Sequence, residues 1–95
     1  MADSHLLPSD VSSITAGGTS QTLFAANERR RLVFIQNTSA GDLWVDFAIA
    51  AVVASPSVKI PAGAELTMTE VQGIDTRAIN IIGATTGQTF SAKEA

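Results

Sequence analysis

The chain has 95 residues, of which 45% are hydrophobic and 16% charged, and its formal net charge is −3. A chain of this length closes one modest core and leaves no room for a second domain. It contains no cysteine, which excludes disulfides, zinc–thiolate sites and thiol nucleophiles. Only 6 residues are Lys or Arg, so the basic stripe of a typical nucleic-acid-binding domain is missing. No apolar run approaches the about 20 residues that cross a bilayer.

Residues 1–10 are predicted to form an extended arm, because Pro8 and Asp10 favour turns over regular structure. The arm carries Leu6 and Leu7, which are candidates for docking on a partner. A frayed terminus is the alternative interpretation. The arm has neither the basic region nor the long apolar core of a signal peptide, so we expect synthesis in the cytoplasm of the producing cell.

From residue 11 the chain is predicted to alternate short strands with turns. Its 7 Val, 8 Ile and 10 Thr outnumber 6 Leu and 2 Met, and side chains branched at Cβ favour strands. We predict eight strands, over residues 11–15, 20–25, 30–37, 42–47, 57–60, 65–69, 78–82 and 88–93. The short connections favour antiparallel neighbours in one domain spanning residues 11–95. The predicted fold class is therefore all-β, as an antiparallel sandwich or a jelly-roll-like barrel.

The fourth predicted strand carries an unusual outward face. Its apolar residues alternate with Asp42, Trp44 and Asp46, so these three point outward if the apolar set faces the core. A tryptophan is costly to leave in water and is enriched at interfaces. The predicted role of this face is contact with a partner, and coverage of both strand faces within the domain is the alternative.

The segment 48–54 that follows this strand is apolar and uncharged, and it includes Ile49, Val52 and Val53. Periodicity does not decide between a strand, a short helical turn and a loop for so few residues. An apolar connection is a poor solvent loop, and such patches often mark contact sites. We therefore predict that these three residues belong to an interface.

Three consecutive arginines, Arg29, Arg30 and Arg31, form the densest charge cluster. In an extended strand Arg29 and Arg31 project to one side and Arg30 to the other. They are candidates for bidentate pairing with carboxylates of a neighbouring chain. Solvation or pairing within the chain is a second interpretation. Nucleic-acid binding is a third, which the overall acidity disfavours.

The residues of catalytic chemistry are sparse. His5 is the only histidine and lies in the arm, with no group to orient it. Asp42 and Asp46 share a strand face but stand about 13 Å apart along it, whereas glycosidase carboxylates lie roughly 5 to 9.5 Å apart. We predict that the chain is not an enzyme and holds no cofactor, metal or small-molecule substrate.

The runs at 18–27, 30–37, 43–47 and 81–90 together resemble small virion proteins of tailed bacteriophages. The resemblance covers roughly residues 14–93 and rests on structural motifs, with no catalytic residue among them. It implies a β-sandwich or jelly-roll-like module of the phage particle. Several such modules are capsid decoration, or cement, proteins, and others form parts of fibres or tails.

The leading functional prediction is a decoration protein on the outer surface of the head, located in the virion, that stabilises the capsid by bridging its subunits. Its predicted partners are the major capsid protein and copies of itself, with a trimer favoured, and no nucleic acid or membrane. A tail, fibre or baseplate component, with a possible role in host-surface or carbohydrate binding, is the alternative prediction.

Overall fold

The computed structural model describes residues 12–71 and 73–95, so the predicted arm at 1–10 lies outside the described residues. The described part of the chain contains strands and no helix. The strands are β1 (Ser12–Ser13), β2 (Gln21–Phe24), β3 (Leu32–Asn37), β4 (Leu43–Phe47), β5 (Val58–Ile60), β6 (Glu65–Thr69), β7 (Ile79–Gly83) and β8 (Thr89–Glu94). Each predicted strand overlaps one of these, and the all-β prediction is confirmed.

The strands form two four-stranded sheets, with the order β1-β8-β3-β6 in the first and β2-β7-β4-β5 in the second. All neighbours are antiparallel. In β1-β8, β2-β7, β3-β6 and β4-β5, the first half of the chain pairs with the second half in reverse order. The four strand pairs alternate between the two packed sheets, and this topology is that of a jelly roll.

The core lies between the two sheets and follows the two-residue period of the strands. Val33 and Ile35 of β3, and Leu43 and Val45 of β4, are fully buried, while the residues between them are only partly buried. The remaining members of the core come from every part of the chain: Ile14, Ile60, Ile79, Ile81, Phe90 and Ala92. Alternate side chains of each sheet therefore meet in one apolar layer, and the intervening residues form the two outer faces.

The segment 48–54 forms neither a strand nor a helix, which decides among the three possibilities left open by the sequence. It belongs to the β4–β5 connection, residues 48–57. Ala48 adopts a positive φ of 70° at the end of β4, a left-handed conformation that turns the chain out of the strand. The connection that follows is the longest apolar loop among the described residues, and it positions the candidate site.

Candidate interaction surface

The β4–β5 connection crosses the outer face of the second sheet. Asn80 points to that face, because its neighbours on either side in β7 are buried in the core. Its Nδ2 donates a hydrogen bond to the carbonyl oxygen of Ile49 at 2.7 Å. Ser20, which directly precedes β2, accepts a hydrogen bond from the Ala51 N–H at 3.0 Å. The loop is therefore hydrogen-bonded to β7 and to the residue that directly precedes β2.

A second set of hydrogen bonds closes the loop on itself. The Ser57 hydroxyl donates to Oδ2 of Asp46 at 2.9 Å and accepts from the Val52 N–H at 3.0 Å. The other carboxylate oxygen of Asp46 accepts from the Phe47 N–H at 2.8 Å. The Ser57 N–H donates to the carbonyl oxygen of Ala54 at 3.0 Å. Asp46 was predicted as a contact residue, and the structure places it half-buried in the hydrogen-bonded support of the loop.

The apolar side chains of this supported loop are exposed. Ile49 is 57% exposed, Val53 44% and Val52 42%, whereas Ala51 is only 2% exposed. Residues 48–58 include no charged side chain. We call Ile49, Val52 and Val53 the apolar loop. Three aliphatic side chains thus face solvent from a segment whose backbone is held in one conformation, which is the geometry of a contact surface.

Trp44 lies on the same outer face, as its alternation with buried residues predicted, but it is half-buried. It is paired directly with Ile82 of β7. Cross-strand partners share a face, so Ile82 also points outward, yet it is only 4% exposed. The Lys59 ammonium lies 5.8 Å from the centre of the Trp44 ring and 3.9 Å from Oδ2 of Asp42. The tryptophan therefore has partners within the domain, and both faces of β4 are partly covered.

Arg30 is not available to a partner, and the prediction that it is a contact residue is wrong. Its side chain is 0% exposed, and its Nε donates to Glu94 Oε1 at 2.8 Å. Its terminal nitrogens donate to the carbonyl oxygens of Ala25, Asp75 and Arg77 at 2.8, 2.7 and 2.8 Å. The planar guanidinium supplies donors in several directions, so one side chain joins the β2–β3 and β6–β7 connections to the last strand.

The flanking arginines lie on the surface. Arg31 forms an ion pair with Glu70 at 3.2 Å, and both side chains are largely exposed. Arg29 is exposed, and its backbone N–H donates to Oδ1 of Asn27 at 3.0 Å. Exposed ion pairs contribute about 0 to 1 kcal/mol. Arg29 and Arg31 are therefore free to exchange partners with another chain, whereas Arg30 is not.

The carboxylate of Asp75, in the same region, has a perturbed pKa. The pKa of Asp75 lies below its ordinary value, first because the Arg77 side chain hydrogen-bonds to it, with the backbone N–H of Arg77 and the nearby charge of Arg30 adding to the effect. Arg77 Nη2 lies 2.7 Å from Asp75 Oδ2. The paired Asp75 fixes the β6–β7 connection, whose carbonyl groups accept from Arg30.

Asn37 is a second buried polar residue that sequence reasoning missed. It is fully buried, and its Nδ2 donates to the carbonyl oxygens of Gly41 and Ile60 at 2.7 and 2.8 Å. Its Oδ1 accepts from the N–H and the hydroxyl of Ser39 at 2.9 and 2.7 Å. The turn signature of residues 37–41 (NTSAG) is the available signal, since asparagine commonly bonds to the backbone two residues on.

A cleft of about 450 Å³ lies between the β3–β4 and β7–β8 connections, and is lined by Ser39, Ala40, Gly41, Thr85, Thr86, Gly87 and Gln88. Three of its polar side chains, Ser39, Thr86 and Gln88, are engaged within the chain. Gln88 donates to the carbonyl oxygen of Asp42 and to Ser39 Oγ at 3.1 and 3.3 Å, and accepts from the Thr85 N–H at 2.9 Å. Thr86 Oγ1 accepts from the N–H of Gly17 at 2.9 Å. The cleft therefore offers few free polar groups to a ligand.

The remaining predictions concern the N-terminal leucines, a metal site and a membrane span. Leu6 and Leu7 lie outside the described residues. Among residues 12–71 and 73–95, no group of three or more His, Cys, Asp or Glu side chains has the arrangement of a metal site. Within the same ranges there is no helix of the length and apolarity needed to cross a membrane.

Strand order and surface together define an eight-stranded jelly-roll domain that presents a supported apolar loop on the outer face of one sheet. No protein-family model, no curated protein and no solved structure matches this chain. The resemblance to phage virion proteins therefore depends on the residue pattern alone.

Proposed function

We propose that this protein is a structural component of a tailed-phage virion that binds the outer surface of the head and stabilises it by bridging capsid subunits. The observation that carries the proposal is the apolar loop, Ile49, Val52 and Val53, exposed on a backbone that the sheet holds in place. The role is structural rather than catalytic, and the contact surface is the loop together with the neighbouring Trp44.

The support beneath the loop favours binding. A flexible loop loses conformational entropy when a partner orders it, and a preorganised loop loses less. The hydrogen bond that Asn80 donates to the loop, and those that Ser20 and Ser57 accept from it, already order the loop in the free protein. Full burial of a Val or Ile side chain contributes about 1.5 to 3 kcal/mol relative to exposure. Three partly exposed side chains thus supply a modest contact for each copy.

Modest contacts suit a protein that covers a repetitive surface. When one decorating unit touches two or more capsid subunits, the second contact forms at high effective concentration, and the combined affinity exceeds that of either contact. Arg29 and Arg31, which are exposed, would add charged pairing with a capsid subunit. The trimer favoured from the sequence stays a prediction.

The fold is compatible with this role by analogy. Jelly rolls occur in viral capsid domains, and also in lectins and cupins, so architecture alone does not select a function. The cleft between the β3–β4 and β7–β8 connections is the place where a saccharide would be sought. Because the Ser39, Thr86 and Gln88 side chains are already bonded within the chain, we favour the apolar loop over a lectin-like site.

The test mixes the purified protein with heads that lack it and measures binding and the thermal melting of the heads. Wild-type protein is expected to bind and to raise the melting temperature, and Val52→Ser combined with Val53→Ser is expected to weaken both effects. Val71→Ser is the matched control, because Val71 is 95% exposed on a different connection. The proposal fails if wild-type protein does not bind, or if the control weakens binding as much as the loop variant does. Stable heads on particles that fail to adsorb would favour the tail or fibre alternative.

A further inference from the structure

The two sheets end in four edge strands, β1 and β6 in the first and β2 and β5 in the second. An edge strand presents unpaired N–H and C=O groups, and proteins usually protect it. The described part of β1 has only two residues. β2 has an irregular register between Thr22 and Phe24. β5 has three residues, with Lys59 at its centre and Pro61 directly after it. Short strands, irregular register, lysine and proline are all features that discourage a further strand.

β6 has none of these protections. It spans five residues, Glu65–Thr69, and each of them has a partner in β3 in continuous register. It contains no lysine, no proline and no bulge. β6 ends its sheet, and β3 is its only strand partner among the described residues. It is therefore the one long and regular edge in the described part of the molecule.

The residues of β6 also match a second copy of themselves. If two β6 strands pair antiparallel about a two-fold axis at Thr67, that residue faces its own counterpart. Leu66 then faces Met68 of the second copy, and Glu65 faces Thr69 of the second copy. Threonine pairs and apolar pairs directly opposite each other stabilise a sheet, and no like charges are opposed. Leu66 and Met68 are half-buried against the core, so pairing would bury more of both side chains.

Two-fold pairing of β5 with β5 of a second copy is unfavourable. Two β5 strands paired about their centre would place Lys59 directly opposite Lys59 of the second copy, and like charges in that position destabilise a sheet. This comparison favours β6 as the strand of contact and a second copy of the chain as its partner. A two-fold contact is self-complementary by construction, which is the commonest arrangement of homo-oligomers.

We propose that two copies of this chain associate through β6, which continues the first sheet across a two-fold axis at Thr67. This contact is on a different sheet from the apolar loop and does not depend on the proposed role in the virion. It predicts a unit of two chains in solution, in place of the trimer favoured from the sequence.

The test places a charged side chain at Thr67, the residue on the proposed two-fold axis. Thr67 is exposed and points away from the core, so Thr67→Lys and Thr67→Glu leave the fold intact, which circular dichroism and thermal unfolding check. Each variant alone opposes two like charges across the axis. We expect dimerisation to weaken at least about tenfold for each of them. Mixing the two variants opposes unlike charges and is expected to restore the dimer, less strongly at high salt. Thr22→Lys, at an exposed position on edge strand β2, is the control that keeps the wild-type dimer.

Sedimentation equilibrium over a dilution series supplies the masses. A wild-type mass of two chains, lost in each Thr67 variant and regained in their mixture, supports the proposal. A wild-type mass of one or three chains overturns it. So does a dimer that survives in both variants, or one that the mixture fails to restore.

Discussion

Replacement of Arg30 by methionine is expected to be among the most destabilising single changes in the described part of the chain. The side chain is fully buried and makes an ion pair with Glu94 and hydrogen bonds to three carbonyl oxygens. Methionine fills a similar volume but leaves those carbonyl groups without donors. Removal of one partner from a buried ion pair costs about 3 to 5 kcal/mol. Total stability for a domain of this size is about 5 to 14 kcal/mol.

The adjacent arginine provides the control, because Arg31 has the same chemistry at the surface. Its pair with Glu70 is largely exposed, so Arg31→Met is expected to cost no more than about 1 kcal/mol. Urea unfolding at neutral pH measures both variants. In a thermal scan, a loss of about 4 kcal/mol corresponds to a fall in Tm of about 20 °C. Similar midpoints for Arg30→Met and Arg31→Met would refute the reasoning that the buried hydrogen bonds of Arg30 hold the connections to β8.

Three further changes test other parts of the structure. Asn37→Ala is expected to cost about 2 to 3 kcal/mol in urea unfolding, because two carbonyl groups lose a buried donor. Asp75 has a pKa in the folded state below that in the unfolded state. Its contribution to stability is therefore complete above the unfolded pKa near 3.9 and is lost as the pH falls through the lower folded pKa. Asp75→Asn should flatten the stability profile on the acid side, and an unchanged profile would contradict this assignment. Ser57→Ala is expected to speed hydrogen exchange at the Val52 amide, which loses its acceptor, while amides in the core strands keep their protection.

The sequence predicts the strands well because their signal is local. Alternation at Leu43, Trp44 and Val45 directly reports which side chains face the core, and the structure has this pattern. The order of the strands has no such signal, since β1 and β8 are at opposite ends of the chain. Which of several apolar strands become neighbours depends on how both sheets pack together. The residues of a single strand do not indicate its neighbours.

Arg30 illustrates why part of the candidate site was predicted incorrectly. Three consecutive arginines suggest a charged surface, and strand alternation does not apply to them because they precede β3 and Arg29 lies in a turn. The burial of Arg30 depends on Glu94 and on the carbonyl groups of Asp75 and Arg77, which are far along the chain. The nearby Ala25 carbonyl group accepts a further hydrogen bond. Lysine and arginine are almost never fully buried without partners, and here the partners assemble only when the fold is complete. The exposure of Ile49, by contrast, was predictable, because an uncharged loop between two strands has little room inside a small core.

The position of β8 has a consequence for how the protein is made. β8 lies inside its sheet, between β1 and β3, although it comes last among the described strands. Until residues 89–94 have been synthesised, β1 and β3 lack the strand that joins them, and the core residues Phe90 and Ala92 are absent. Pairing between distant strands is slow, and incomplete sheets expose edges that aggregate. We therefore expect the nascent chain to remain open on the ribosome, so that folding and any assembly with other copies begin only after β8 has emerged.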